Sequence, residues 1–344
     1  MNYLSERKAL YLFMKTTLTE INSYAANNPA ELVARAEKHY NDEIRTIAER
    51  IAANDDIKIV ALSGPSASGK TTTAHILSDR LKELGEKTEV VSLDDFYLPT
   101  DKLPVLEDGT RDIESVNALD TALINKCFGE IIRSGKTVLP SYNFLKKERV
   151  TEAREIDISN RGIIIAEGLH ALNPIITSKV PSKHIFKAYV SVNRRIEDSD
   201  GNTLLTSRQI RLIRRTLRDR IFRSSSLNDT LSLWGGVVEG EKKYLYCFKP
   251  TADVQIKTLH IYEPCLYKNE FLSLCDEADR DSEWYEYFKR TADALRAFNS
   301  IDSSLIPPDS LIREFIGNGK YNCRFVNDVL QNQKTSPLKR KAFK

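Results

Sequence analysis

The chain has 344 residues, enough to bury a large core in roughly one to three domains. Its net charge of +3 is small for that length and excludes a chain-wide basic surface for nucleic acid or an anionic membrane. The cysteines (Cys127, Cys247, Cys265, Cys275, Cys323) are odd in number and never spaced C-x-x-C, so neither a disulfide framework nor a zinc site is expected. No run reaches the ~20 apolar residues of a membrane span. The start, Met1 to Glu6, lacks the build of a signal peptide, so a cytoplasmic protein is expected.

Residues 1 to about 53 read as helix, with Leu10, Phe13, Met14, Leu18 and Ile21 at helical spacing. Asn27, Asn28 and Pro29 interrupt the pattern, and Pro29 suits the first turn of a second helix. Asn54, Asp55 and Asp56 break it again. Then strands and helices alternate. Short β-branched runs occupy 57–62, 88–93, 163–166, 185–192 and 252–256, and Ala74, Leu77, Leu81 and Leu84 mark a helix between the first two. Such alternation implies a parallel sheet covered by helices, with ligands at the carboxyl ends of its strands. From about 263 the pattern is helical, with Trp284, Tyr285, Tyr287, Phe288 and Leu295. Pro307 and Pro308 punctuate it before a basic tail of Lys339, Arg340, Lys341 and Lys344.

Gly64-Pro65-Ser66-Ala67-Ser68-Gly69-Lys70-Thr71 fits G-x-x-x-x-G-K-[ST] without a mismatch, after an expected strand and before an expected helix. Glycines let backbone N–H groups turn inward around phosphate oxygens, and the helix N-terminus adds its dipole. Lys70 would reach the β- and γ-phosphates, and the Thr71 hydroxyl would ligate Mg²⁺. Gly64, Ser66, Ala67, Ser68, Gly69, Lys70, Thr71 and the following Thr72 form the expected nucleotide set. The plain alternative is a chance glycine-rich turn.

Phosphoryl transfer also needs a group that orients the attacking hydroxyl and accepts its proton. Asp94 and Asp95, followed by Phe96 and Tyr97, end the second strand and can do this, or can merely cap a loop. Glu167 ends a buried run, where an acid sits near Mg²⁺ or is simply solvated. Between Arg208 and Arg223 lie seven arginines. Ile210, Ile213, Leu217 and Ile221 share one helical face, and Arg208, Arg211, Arg215 and Arg218 another. The readings are a lid over ATP, a solvated face with only Asp219 as local counter-charge, and an RNA surface.

Together these residues resemble the uridine kinase and phosphoribulokinase-like family of P-loop kinases over roughly 57–260. The markers are Gly64 to Thr71, Leu93-Asp94-Asp95-Phe96-Tyr97, Tyr142-Asn143-Phe144, Glu167-Gly168-Leu169, Arg211 to Asp219, Arg223, and Ala252-Asp253-Val254. The resemblance implies Asp94 as catalytic base, with Tyr97 beside it in the acceptor site. It implies Glu114 where the family holds ribose hydroxyls, and Tyr142 packed on a nucleoside. Arg215, Arg218 and Arg223 become lid residues on phosphates and substrate, and Asp253 lies on the adenine side. The sequence departs from the family at Asn143, at Lys147 in place of a base-reading histidine, and at Ser225 and Leu233.

The expectation is therefore an α/β P-loop NTPase fold: a doubly wound, mainly parallel sheet with helices on both faces. It is divided into a helical extension at 1–56, a kinase domain at 57–262 with an arginine-rich lid at about 206–234, and a helical extension at 263–344. Lys70, Asp94, Arg215 and Arg218 are the expected catalytic residues, and Arg218, Arg223 and Asp253 join the nucleotide set. Asp94, Tyr97, Glu114, Tyr142, Lys147 and Arg215 are the expected acceptor contacts, and Thr71 and Glu167 the metal contacts. ATP and Mg²⁺ are the expected cofactors. The partner is a small-molecule hydroxyl acceptor: a nucleoside such as uridine or cytidine, or another sugar or anionic metabolite. Membrane and nucleic-acid partners are not expected, and self-association stays open. Asp198-Ser199-Asp200-Gly201 mimics a GTPase D-x-x-G, but no N-K-x-D reads guanine, so a GTPase switch or RNA-associated NTPase ranks last.

Overall fold

The structure, a computed structural model, describes residues 17–107, 109–143, 148–159 and 162–321. α1 (Leu18–Asn27) begins at a capping box, in which Thr17 and Glu20 each accept the other's backbone N–H. Pro29 opens α2 (Pro29–Ala52), where its fixed φ and missing N–H do no harm. Ile21 of the expected first helix is buried, whereas Leu10, Phe13, Met14 and the basic tail lie outside the described residues.

β1 (Ile59–Ser63) runs into the glycine-rich loop and α3 (Lys70–Glu83). Ala74, Leu77 and Leu81 are buried, but Leu84 lies past the helix end and is exposed. After β2 (Lys87–Ser92) come α4 (Thr121–Ser134) and a two-stranded antiparallel ribbon, β3 (Lys136–Asn143) with β4 (Glu148–Asp157). Sequence reading did not anticipate the ribbon. β5 (Gly162–Glu167) and β6 (Ile185–Ser191) follow, then the short pair β7 (Ile196–Glu197) and β8 (Thr203–Leu205). Asp198, in the turn between that pair, accepts from the N–H of Asp200 and of Asn202, so the D-x-x-G string is a tight turn. α5 (Ser207–Arg223) is the arginine helix, followed by α6 (Leu227–Tyr244) and β9 (Val254–Lys257). The chain continues as α7 (Glu263–Leu272), α8 (Tyr285–Arg296) and the single turn α9 (Arg313–Ile316).

The five strands read from the sequence form one sheet in the order β2-β5-β1-β6-β9, parallel throughout. Alternate residues enter opposite faces. Val60, Leu62, Ile163, Ile165 and Val190 join a core with α2 and α3, whereas Ile59, Ala61, Ile164 and Ala166 pack with Ile124 and Phe128 of α4. Each buried Val, Leu, Ile or Phe side chain among them contributes about 1.5–3 kcal/mol. Register places Leu62 and Ser92 on either side of Glu167, so the glycine-rich loop, Asp94 and Glu167 leave the sheet at one edge. The terminal extensions share the first core: Tyr40, Ile44, Leu311, Ile312 and Phe315 belong to it.

The arginine helix is built in from both sides. Arg214 is fully buried, and its five N–H groups are all used. Two reach Glu263 at 2.7 Å, two reach Thr258 at 2.6 and 3.2 Å, and one reaches the Ala67 carbonyl at 3.3 Å. Ile210, Ile213 and Leu217 face the core, but Ile221, near the helix end, is half exposed. Substituting Glu263 with Ala strands a buried guanidinium. The expected loss is ~3–5 kcal/mol of stability, read from urea unfolding. A loss below ~1 kcal/mol would show that Arg214 finds other compensation.

Candidate active site

The loop keeps its shape through one close approach and one unusual turn. A Cβ on Gly64 would stand 2.1 Å from the Val190 carbonyl oxygen, so only glycine fits. Ala67 and Gly69 both have positive φ, 56° and 88°. Behind the loop, three successive carbonyls are bound from outside. Arg211 donates to Ser66 O at 3.1 Å, Arg214 to Ala67 O, and the Thr258 hydroxyl to Ser68 O at 2.7 Å. In a trans peptide the next N–H points the opposite way, so the Ala67 and Gly69 N–H groups face the other side. The Ser68 hydroxyl is buried and finds no partner among the described residues, as suits a site for a group with free oxygens.

Lys70 is half-buried and donates to its own loop at Pro65 O, 3.1 Å away. Burial lowers its pKa, opposed by the carboxylates of Glu167, Asp94, Glu314 and Glu241. Asp94 is exposed in the 3₁₀ turn that follows β2. Its neighbour Asp95 is tied to the ribbon, accepting from the Tyr142 N–H at 3.4 Å. Glu167 is buried and accepts from the Ser92 hydroxyl at 2.9 Å. Thr71 lies in the first turn of α3.

On the acceptor side, the Tyr97 and Tyr142 rings are 5.7 Å apart and tilted. Burial, then Asp94 and Glu114, raise the Tyr97 phenol well above its usual range. Glu114 fits against the bare Gly240, whose added Cβ would meet it at 2.8 Å. Burial pushes the Glu114 carboxyl up to about 7, with Glu241 and Asp94 adding to the rise and Arg215 and Lys70 opposing it. Over this cluster stand the arginines. Arg215 donates to the Ser66 hydroxyl at 2.9 Å, and Asp219 collects Arg218 at 2.7 Å, Arg215 at 3.3 Å and Arg223 at 3.5 Å. The neighbouring Arg218, above all, brings Arg223 down to about 10, opposed by Asp219 and Asp94.

Asp219 is the local counter-charge of the helix, and further ones come from a distance. Glu241 pairs with Arg211 at 2.5 and 2.8 Å, and Glu263 with Arg214, both through distant parts of the chain. Sequence reading missed Glu241, which also accepts from the Ser66 N–H at 2.9 Å. No local spacing marks it. Asp253 is not brought to this edge. It precedes β9, and its carboxylate accepts from Lys187 N–H at 2.7 Å, three residues before the Val190 level of β6. Lys147 lies outside the described residues. Leu233 is exposed and Ser225 part-buried. Beside the loop a cavity of about 360 Å³ opens between Pro65, Tyr189, Arg208, Tyr246, Lys249 and Tyr287.

Residues 59–262 match the family described as Phosphoribulokinase / Uridine kinase family. The chain belongs to that family. As a member of the phosphoribulokinase/uridine kinase family it is an ATP-dependent phosphotransferase acting on a small molecule. It is similar to the uridine kinase of Lactobacillus helveticus, with 26% identity over 53% of this chain and 76% of that one. It is also similar to the uridine kinase of Clostridium novyi, with 24% identity over 58% and 86%. Among solved structures, a Bacillus stearothermophilus protein described as a possible uridine kinase matches 63% of this chain and 98% of its own, at 18% identity and a TM-score of 0.44. No helix among the described residues is long and apolar enough to cross a membrane.

Glu114 makes the site's pH behaviour testable. Its folded pKa lies above the ordinary 4.5, so the native state keeps a proton that the unfolded chain has released. That contribution to stability is complete below about 4.5 and is lost as pH rises through about 7. Between pH 5 and 7.5 the native protein should lose on the order of 1 kcal/mol or more relative to Glu114→Gln, measured by urea unfolding at each pH. Parallel pH profiles would mean that Glu114 is ionised and solvated.

Proposed function

We propose that the chain transfers the γ-phosphoryl group of ATP to a hydroxyl of a nucleoside, as a uridine or cytidine kinase does, with little discrimination of the base. The observation that carries the reading is the exposed Asp94 at the strand edge, electrostatically coupled to Lys70, Glu114, Tyr97 and Arg223. One carboxylate there can take the proton of an attacking hydroxyl while cations hold the charge of the moving phosphoryl group. The loop residues Gly64, Ser66, Ala67, Ser68, Gly69 and Thr72 would bind the phosphates through backbone and hydroxyl donors, with Lys70 as their main cation. Arg215, Arg218 and Arg223 would meet developing charge from above.

Thr71 and Glu167 would hold Mg²⁺. A hydroxyl and one carboxylate suit an ion that keeps most of its waters and borrows phosphate oxygens. When bound, Mg²⁺ would neutralise charge between phosphates. Glu114 would bond the sugar hydroxyls, donating when protonated and accepting when not. Tyr97 and Tyr142 would pack on the nucleoside. The free thiols of Cys127, Cys247, Cys265 and Cys275 suit a reducing cytoplasm.

A second reading is an anionic sugar metabolite. It is favoured by Asp219, a single carboxylate shared among three guanidinium groups. Leu233, at one of the expected base-reading positions, is exposed.

Two experiments test the reading. Asp94→Asn should lower kcat by about 10²-fold or more with ATP affinity little changed, and Asp95→Asn should do less. The reverse order would move the base to Asp95. Comparison of kcat/KM for uridine, cytidine, adenosine, ribose and a sugar acid decides the acceptor. A nucleoside should win with a base preference below about a hundredfold, some 2.7 kcal/mol. A larger uridine preference would show that a base-reader exists, and a preference for the sugar acid would replace the nucleoside.

A further inference from the structure

The first turn of a helix carries N–H groups that lack intrahelical partners. In α3 the Thr72 N–H and the Thr72 hydroxyl both donate to one carboxylate oxygen, Oε2 of Glu314, at 3.4 and 2.7 Å. Glu314 belongs to α9, 242 residues further along the chain, and is only 5% exposed. It is among the carboxylates that support the charge on Lys70, and it adds to the field at Arg214. A helix N-terminus whose backbone N–H and hydroxyl both converge on one buried oxygen, with the charges of Lys70 and Arg214 within electrostatic reach, makes an anion site. Thr72 is one of the residues expected from sequence to bind nucleotide, and here its donors serve the chain's own carboxylate.

The same segment closes that side of the loop with apolar surface. Leu311 is fully buried so close to Gly69 that an added Cβ would meet it at 2.8 Å. Phe315, also fully buried, lies 4.8 Å from the Arg214 guanidinium. Arg313 shapes the segment by donating to the carbonyls of Ile306 at 2.5 Å and Ser303 at 3.0 Å. Its outer end is fastened more weakly, by a half-exposed pair between Lys320 and Asp79 at 2.7 Å, of a kind worth little in water.

We propose that the segment 306–321 is a built-in competitor of the nucleotide. Glu314 stands where a phosphate would bond Thr72, and a nucleoside triphosphate binds fully only when the segment withdraws. The proposal rests on the reading that the loop 64–71 binds ATP. A phosphate carries more charge and more acceptor oxygens than one carboxylate, so it can displace Glu314, but only after the segment has opened. Apparent affinity is then reduced by the fraction of molecules that are open.

The test titrates ATP and ADP with Mg²⁺ against the whole chain, Glu314→Gln, Glu314→Ala and Lys70→Ala by calorimetry, with folding followed by thermal melts. Glu314→Ala should bind ATP about 3- to 30-fold more tightly than the native chain, and Glu314→Gln should show a smaller gain. In the native chain, amide exchange across 306–321 should speed up at saturating ATP. That measurement decides the matter if Glu314→Ala does not fold. Folded variants with unchanged or weaker affinity would overturn the proposal. So would slowed or unchanged exchange, the result expected if nucleotide enters by the cavity beside Pro65 and the segment is a fixed strap. Failure of every chain to bind ATP would overturn the nucleotide reading, and this proposal with it.

Discussion

The loop between β1 and α3 holds its shape because its outward carbonyls are bound from behind. Arg211, Arg214 and the Thr258 hydroxyl each take one, and a peptide whose carbonyl is held cannot turn its N–H away. Glycines permit such a loop but do not select it. A flexible chain would spend its N–H groups on water or on itself, and ordering it at the moment of binding would cost affinity. Here the order is present beforehand, supplied by α5 and by the residues after β9.

That arrangement explains why arginines are buried in a helix whose composition suggests solvent. A lone buried guanidinium is expensive, and its cost is offset only when every donor is satisfied. Arg214 meets that condition with Glu263, Thr258 and Ala67, whereas Arg211 is held by a two-pronged pair with Glu241 and a bond to the Ser66 carbonyl. The helix therefore has two duties along its length. Its first turns brace the loop from behind, and its later turns gather Arg215, Arg218 and Arg223 around Asp219. The solvated-face reading of this helix does not survive the burial of four of its arginines. Its charge is gathered inward rather than spread.

The extensions matter for the same reason. α2 stacks on α3 through the core that Tyr40 and Ile44 share with Leu77, and the Tyr40 hydroxyl bonds Thr73 at 2.8 Å. α9 reaches Thr72 from the other end of the chain. The helix that carries Lys70 and Thr71 is thus wrapped by residues from both termini. The composition of those termini shows helix and nothing of this contact.

Sequence alone determined the parts whose physics is local. Gly64 to Thr71 needs its glycines within a single turn. The five β-branched runs alternate with helices at short range, and an acid at a strand end needs only that strand. All five runs became the sheet, and Asp94, Glu167 and the loop share its edge. Tertiary structure decided what depends on partners far apart in the chain. It paired Glu241 with Arg211, Glu263 with Arg214 and Glu314 with Thr72, raised Glu114 to about 7 by burial among other charges, and kept Asp253 away from the edge. The reason lies in reach. A hydrogen bond or ion pair acts over a few ångströms in space, whatever the separation along the chain, so periodicity and motif spacing carry no trace of it.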